Sequence, residues 1–316
     1  MDNMYVCFIT AFVTSVIITY ILIPVLRRLK FGQTIREEGP QWHNKKSGTP
    51  TMGGMGFLIV CVVLTLIHST EPAVKFACVF AGLFGVIGFF DDGIKIVLKR
   101  NLGLTEKQKL VSQVFVSVVF LVWGVSKGYI ETTLSIPFTS VQWDLKWFYV
   151  IFMAIYMIAY TNAVNLTDGL DGLAASVTTV VCIFFVFASI VLKSETLYFA
   201  TALAGALIGF LVFNFYPAKV FMGDTGSLFL GGAVAAMAIL LKLELLLILA
   251  GIIYVIEALS VVIQVAYFKK TGGKRIFLMA PIHHHFEMKK MNEISIVSMF
   301  TGITLVACII SALTLI

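Results

Sequence analysis

Long apolar runs, each closed by charge, Gly or Pro, divide the chain into ten segments: 4–26, 52–67, 74–90, 110–123, 148–164, 173–192, 197–215, 228–241, 245–268 and 294–316. A helix needs about 20 apolar residues to cross a bilayer, so the pattern predicts an all-α integral membrane protein with about ten transmembrane helices. Between the fourth and fifth runs, residues 129–142 alternate β-branched or aromatic with polar residues around Pro137, which predicts a short external β-hairpin.

Composition narrows the class. Of 316 residues 59% are hydrophobic and only 13% charged, whereas about a quarter of an ordinary soluble domain is charged. That excludes a soluble fold and a disordered chain. Ten spans leave too few residues for an independent soluble unit, so 1–316 reads as one polytopic membrane domain. Cys7, Cys61, Cys78, Cys182 and Cys308 all fall within apolar runs, and we read them as small packing residues with no disulfide expected.

Charge sets the sidedness. The connections after the first, third, fifth, seventh and ninth runs together hold 18 of the 23 Lys and Arg residues. By the positive-inside tendency these connections face the cytoplasm, and both termini lie outside. No basic residue precedes the first run and Arg27 and Arg28 follow it, as expected of an anchor rather than a cleaved signal. The net charge of +6 then belongs to the inner membrane face and its anionic headgroups, and no nucleic-acid partner is expected.

Acidic residues change the picture most. Five of the seven Asp, namely Asp91, Asp92, Asp168, Asp171 and Asp224, lie at cytoplasmic span ends or in cytoplasmic connections, beside Gly in otherwise apolar sequence. Any one of them alone reads more readily as a helix cap or a solvated charge. Carboxylates at the edge of hydrocarbon are costly, however, and as a set they mark a site.

Asp91 and Asp92 close the third run. Neighbours on a helix diverge by about 100°, so one can face a ligand while the other meets Lys95, three residues on. In Asn165-Leu166-Thr167-Asp168-Gly169-Leu170-Asp171-Gly172 a helical backbone would fan Asn165, Asp168 and Asp171 over one surface. With no basic residue in that connection, a divalent cation or substrate donors would balance the charge. Capping by Asn165 or Asp168 is the alternative. Gly223-Asp224-Thr225-Gly226-Ser227 opens the eighth run, where backbone N–H groups suit phosphate and a carboxylate suits Mg²⁺; an ordinary capped turn also fits.

His283, His284 and His285 stand between Pro281-Ile282 and Phe286-Glu287. Consecutive side chains diverge, so donation to a phosphorylated substrate competes with metal binding and with a structural role. Lys45 and Lys46 precede the Gly-rich Thr49-Pro50-Thr51-Met52-Gly53-Gly54, which suits either an anion or close helix packing. Glu257 is the one ionisable group deep in a run, and its role is left open.

Together the acidic clusters and the triple His resemble the polyprenyl-phosphate N-acetylhexosamine 1-phosphate transferase superfamily. The segments 49–54 and 281–287 look like its bacterial branch, the phospho-N-acetylmuramoyl-pentapeptide transferases (translocase I). The resemblance implies a ten-span, Mg²⁺-dependent enzyme of the bacterial cytoplasmic membrane with its active site on the cytoplasmic face. Such an enzyme moves phospho-N-acetylmuramoyl-pentapeptide from UDP-N-acetylmuramoyl-pentapeptide to undecaprenyl phosphate, releasing lipid I and UMP, and forms homodimers.

Carried onto matching positions, the resemblance makes Asp224 the Mg²⁺ ligand and assigns Asp91 and Asp92 to the lipid phosphate. Asp168 and Asn165 would line the same cleft. Gly169, Leu170, Asp171, Asn214 and Phe221 would form the uridine pocket, and Lys46, Thr51, Lys95, Lys107 and His283 to His285 would contact phosphates and sugar, His283 among the catalytic set. Two alternatives stay in view: a sister transferase using another UDP-sugar, and a secondary transporter, which would carry acids near the bilayer midplane.

Overall fold

The computed structural model describes residues 2–29, 48–98, 103–139 and 141–316. It contains α1 (Asp2–Arg28), α2 (Gly54–His68), α3 (Pro72–Val97) and α4 (Glu106–Ser126). A two-stranded sheet of β1 (Thr133–Ser135) and β2 (Gln142–Asp144) follows. Then come α5 (Trp147–Thr167), α6 (Leu173–Val191), α7 (Thr196–Asn214), α8 (Gly223–Leu241), α9 (Glu244–Ala250), α10 (Ile252–Lys270), α11 (Ile282–Met288) and α12 (Glu293–Leu313).

Helix starts follow local chemistry. Pro72 opens α3, where its missing N–H costs nothing. Thr105 and Gln108 form a reciprocal capping box on α4, and Asn292 caps α12 by accepting the Ser295 N–H. The hairpin pairs antiparallel with Leu134 opposite Trp143.

Nine helices among the described residues are long and apolar enough to cross a membrane. The tenth expected span, α2, has 15 residues and so rises only about 22 Å. The ninth apolar run, expected as one helix over 245–268, is broken. Gly251, at φ −100° and ψ 30°, separates α9 from α10, and Gly gives up the most backbone entropy of any residue on entering a helix.

The core is organised on α8, whose apolar window is 89% buried, against 28% for α1 and 22% for α10. It packs between α3 and α5, and its run of Gly and Ala lets neighbours approach on every side. The closest approach is at Gly88 of α3, where any Cβ would collide with the backbone carbonyl of Asp224. This contact lays the end of α3 against the start of α8 and fixes where their acids meet. All five Cys are buried.

The bundle has two chemically different ends. At one, the Glu195 carboxylate accepts from the Ser69 hydroxyl (2.8 Å), the Thr70 N–H and hydroxyl (both 2.6 Å) and the Glu71 N–H (2.8 Å). Partial burial alone would raise Glu195, but these donors outweigh it and hold its carboxyl at about 2. Lys242 pairs with Glu131 at 2.5 Å at this end. The connections after α3, α5, α7 and α10 gather at the opposite end, as the even spacing of spans requires.

Candidate active site

Three carboxylates converge where α3 ends and α8 begins. Asp91, Asp92 and Asp224 can each present one oxygen within 4.8 Å of the others. Asp91 and Asp92 are only 3% exposed, so each needs partners.

Their partners differ. Asp92 Oδ2 accepts the Thr225 N–H (2.9 Å) and hydroxyl (2.8 Å), and Oδ1 accepts the Asp224 N–H (3.2 Å). Asp92 therefore caps α8, a negative charge at the positive end of the helix dipole. Asp91 Oδ1 accepts the Leu104 N–H at 2.9 Å, and its Oδ2 meets Lys95 Nζ at 2.5 Å. The sequence pattern expects Lys95 to meet Asp92 three residues back. The ammonium instead reaches four back to Asp91 and lies 3.9 Å from Asp92, because α8 occupies the Asp92 oxygens.

Asp224 joins the two helices to α4 and α5. Its Oδ1 accepts from Asn165 Nδ2 at 2.8 Å, and Asn165 also donates to Ser227 Oγ. Its Oδ2 takes both Lys95 Nζ and Lys109 Nζ at 2.9 Å. Lys109, which the sequence reading did not single out, reaches the acidic cluster, whereas Lys107 is exposed on the same turn of α4. The capping box locates the helix start but not the helix rotation that turns Lys109 inward.

The donor set fits a divalent cation. All candidate ligands are hard oxygens. Asp91 Oδ2 and Asp224 Oδ2 already share one ammonium, Lys95 Nζ, at 2.5 and 2.9 Å. Two carboxylate oxygens focused on a single positive centre are what a cation with one or two protein ligands requires.

The second acidic cluster divides differently from the expected helical fan. Helix α5 stops at Thr167, Asp168 caps it at φ −81° and ψ 50°, and Gly172 at φ 78° turns the chain into α6. Asp171 is therefore not on the helix that carries Asn165. Its N–H donates to Glu293 Oε1 at 2.6 Å and its Oδ2 accepts the Ala218 N–H at 2.8 Å. It ties the α5–α6 turn to α12 and to the α7–α8 connection. A cleft of about 340 Å³ opens beside this tie, lined in part by Tyr216, Lys290 and Glu293.

The remaining candidates frame the same end. Phe221 donates its N–H to Pro50 O and accepts the Gly53 N–H, both at 2.8 Å, laying the segment before α2 across the start of α8. Thr51 is buried there, with its hydroxyl beside Gly223. Asn214 Nδ2 donates to Val220 O at 2.9 Å, and Leu170 is buried at the turn. Lys46 lies outside the described residues.

The three His diverge as consecutive side chains must. His283 Nδ1 lies 3.0 Å from Glu257 Oε1 and His284 Nδ1 lies 2.6 Å from Glu287 Oε2. His285 Nδ1 accepts the Leu278 N–H at 3.1 Å, and burial followed by the nearby Lys289 charge lowers its pKa. Glu257, left open in the sequence, is thus the partner of His283.

Residues 74–242 match the profile of glycosyl transferase family 4, a range that runs from α3 to the end of α8. The chain is 50% identical over 312 residues to a phospho-N-acetylmuramoyl-pentapeptide-transferase of Listeria monocytogenes serotype 4b, covering 96% of this chain and 95% of that protein. It is 50% identical over 299 residues to the protein of the same description from Clostridium kluyveri, covering 93% and 94%. To that of Clostridium novyi it is 49% identical over 319 residues, covering 100% and 98%.

Proposed function

Because the chain belongs to glycosyl transferase family 4 and to the phospho-N-acetylmuramoyl-pentapeptide transferase family, we propose that it transfers phospho-N-acetylmuramoyl-pentapeptide from its UDP carrier to undecaprenyl phosphate. The products are lipid I and UMP. The observation that carries this reading is Asp224 Oδ2 held between Lys95 and Lys109, opposite Asp91.

Phosphoryl transfer needs positioning and charge neutralisation more than covalent help. Lys95 and Lys109 supply two ammonium donors at one point, which suits the oxygens of a diphosphate. Asp224 and Asp91 would hold Mg²⁺ through their Oδ2 atoms. When bound, the ion would neutralise diphosphate charge and polarise the reacting phosphorus.

The two adjacent acids then have separate tasks. Asp92, with both oxygens engaged by α8, positions Asp224. Asp91, whose Oδ1 accepts the Leu104 N–H and whose Oδ2 meets Lys95, orients the acceptor. A phosphate monoester has a second pKa of about 6, so at neutral pH the lipid phosphate is mostly its own nucleophile and attacks the sugar-linked phosphorus directly. Inversion at a chirally labelled phosphorus is the expected outcome, and net retention would favour a covalent aspartyl-phosphate instead.

The positive-inside distribution supports a cytoplasmic location for the acidic end, with both termini outside and the enzyme multi-pass in the bacterial inner membrane. One substrate is a charged nucleotide and the other a lipid, which suits a site at the membrane edge. A homodimer belongs to the same proposal.

The deciding assay is UMP release by purified protein from UDP-N-acetylmuramoyl-pentapeptide, undecaprenyl phosphate and Mg²⁺. Release should require the lipid, stop with EDTA and fall by about 10² or more in Asp224→Asn. Release from UDP-N-acetylglucosamine but not from the pentapeptide donor would move the assignment to a sister transferase.

A further inference from the structure

Glu257 and His283 form a buried pair that the transfer chemistry above does not use. Glu257 lies in the second turn of α10 and is 0% exposed, while His283, near the start of α11, is 1% exposed. Their Nδ1 and Oε1 atoms are 3.0 Å apart. A carboxylate taken this far from water costs several kcal/mol unless it is paired, so the pair accounts for how Glu257 is tolerated within a span.

Two features exceed a structural stitch. The three His are satisfied differently: Nδ1 of His284 and of His285 turns to Glu287 and to the Leu278 N–H, both within nine residues, whereas His283 takes its partner from a membrane-spanning helix 26 residues away. The pair is also left half open, since His283 Nε2 and Glu257 Oε2 are both buried without a hydrogen-bond partner. Buried polar atoms are rarely left so unless something else engages them.

The open nitrogen has a definite direction. Gly169 is where it points: a Cβ built there would run into His283 Nε2, then Cε1 and Cδ2. Gly169 follows Asp168 in the turn that begins at Asn165, and Asn165 holds Asp224. The imidazole edge is therefore seated against the segment that links the carboxylate cluster to Asp171, and only glycine leaves room for it.

We propose that Glu257 is a positioning residue for His283. Its carboxylate accepts the Nδ1 proton, which fixes the tautomer and the ring plane. Nε2 is thereby presented across Gly169 to hydrogen-bond the nucleotide-linked substrate. No bond to carbon or phosphorus forms at the imidazole; its part is a hydrogen bond through Nε2. This inference rests on the transferase reading for its substrate, though the pair itself does not.

The test is a double-mutant cycle on UMP release with Glu257→Gln and His283→Asn. The amide of the first variant can still accept from Nδ1 but lacks the charge. Alone it should lower kcat about tenfold or more with the donor KM changed less than about twofold. In the His283→Asn background it should change kcat by less than about twofold, because its only route of action is gone. Equal costs in both backgrounds, or no cost in either, would overturn the proposal.

Gly169→Ala approaches the ring from the other side and guards against a folding failure of the Glu257 variant. Its loss of kcat should likewise vanish in the His283→Asn background, and a loss that persists there counts against the proposal. Imidazole ¹⁵N spectra of histidine-labelled protein give a readout independent of turnover. One Nδ1–H signal should be absent in His283→Asn and displaced in Glu257→Gln, and an unmoved signal would refute the pairing. If wild-type protein releases no UMP while that signal behaves as expected, the reaction assignment has failed and the pairing has not.

Discussion

Lys109 Nζ lies 2.9 Å from Asp224 Oδ2, on the side of the carboxylate opposite Asn165. Lys107, two residues earlier on the same helix, is exposed. Of these two cations, Lys109 is the one that reaches the α3–α8 junction. Lys109→Ala should slow UMP release about tenfold to a hundredfold, the scale of a lost charge-stabilising donor. Lys107→Ala should leave the rate within about twofold, as surface changes usually do. Equal sensitivity would mean that the rotation of α4 differs in the working enzyme.

Asp91 and Asp92 should separate in stability and rate. Asp92 accepts three hydrogen bonds from the start of α8, and bonds to a charged group contribute about 1.5–3 kcal/mol each. Asp92→Ala should therefore lower the thermal unfolding midpoint in detergent by several degrees. Asp91→Asn should keep that midpoint nearly unchanged and still abolish most transfer. The reverse order would exchange their roles.

Lys95 and a divalent cation compete for the same two oxygens, Asp91 Oδ2 and Asp224 Oδ2. Removing the ammonium in Lys95→Met should tighten Mn²⁺ binding about tenfold or more, given the size of a nearby unit charge, while transfer falls. Mn²⁺ titration followed by electron paramagnetic resonance reads this directly. Weaker binding in the variant would place the cation elsewhere.

Glu195 gives the other end of the bundle a pH signature. Its carboxyl stands at about 2 against an ordinary 4.5. A lowered folded pKa means that the contribution is full above about 4.5, declines as pH falls and is lost below about 2. Glu195→Gln should flatten the acid limb of the unfolding midpoint between those values and leave neutral-pH transfer unaffected. An unchanged acid limb would show that the four donors at Ser69, Thr70 and Glu71 do not hold the carboxylate.

Much of the architecture is legible in local pattern. Apolar runs locate the nine helices that are long enough to cross a membrane among the described residues, and the shorter α2, because crossing hydrocarbon demands a fixed length of apolar sequence. The concentration of Asp and His in alternate connections marks one end as chemical, because carboxylates there are too costly to be incidental. The break at Gly251 is less visible, since the residues on both sides are apolar and a single Gly is tolerated inside many helices.

What the sequence determined by itself is the set of spans, their alternation and the stock of reactive groups at one end. Those features depend on properties summed over adjacent residues. The tertiary structure decided which group meets which: Lys109 rather than Lys107 at Asp224, Asp91 rather than Asp92 at Lys95, Asp171 at Ala218, and Glu257 at His283. The reason is geometric. A helix repeats every 3.6 residues, so its own period says which residues share a face but not which way that face turns. That rotation is set by partners far away in the chain, here by the close passage of Gly88 against the backbone of Asp224.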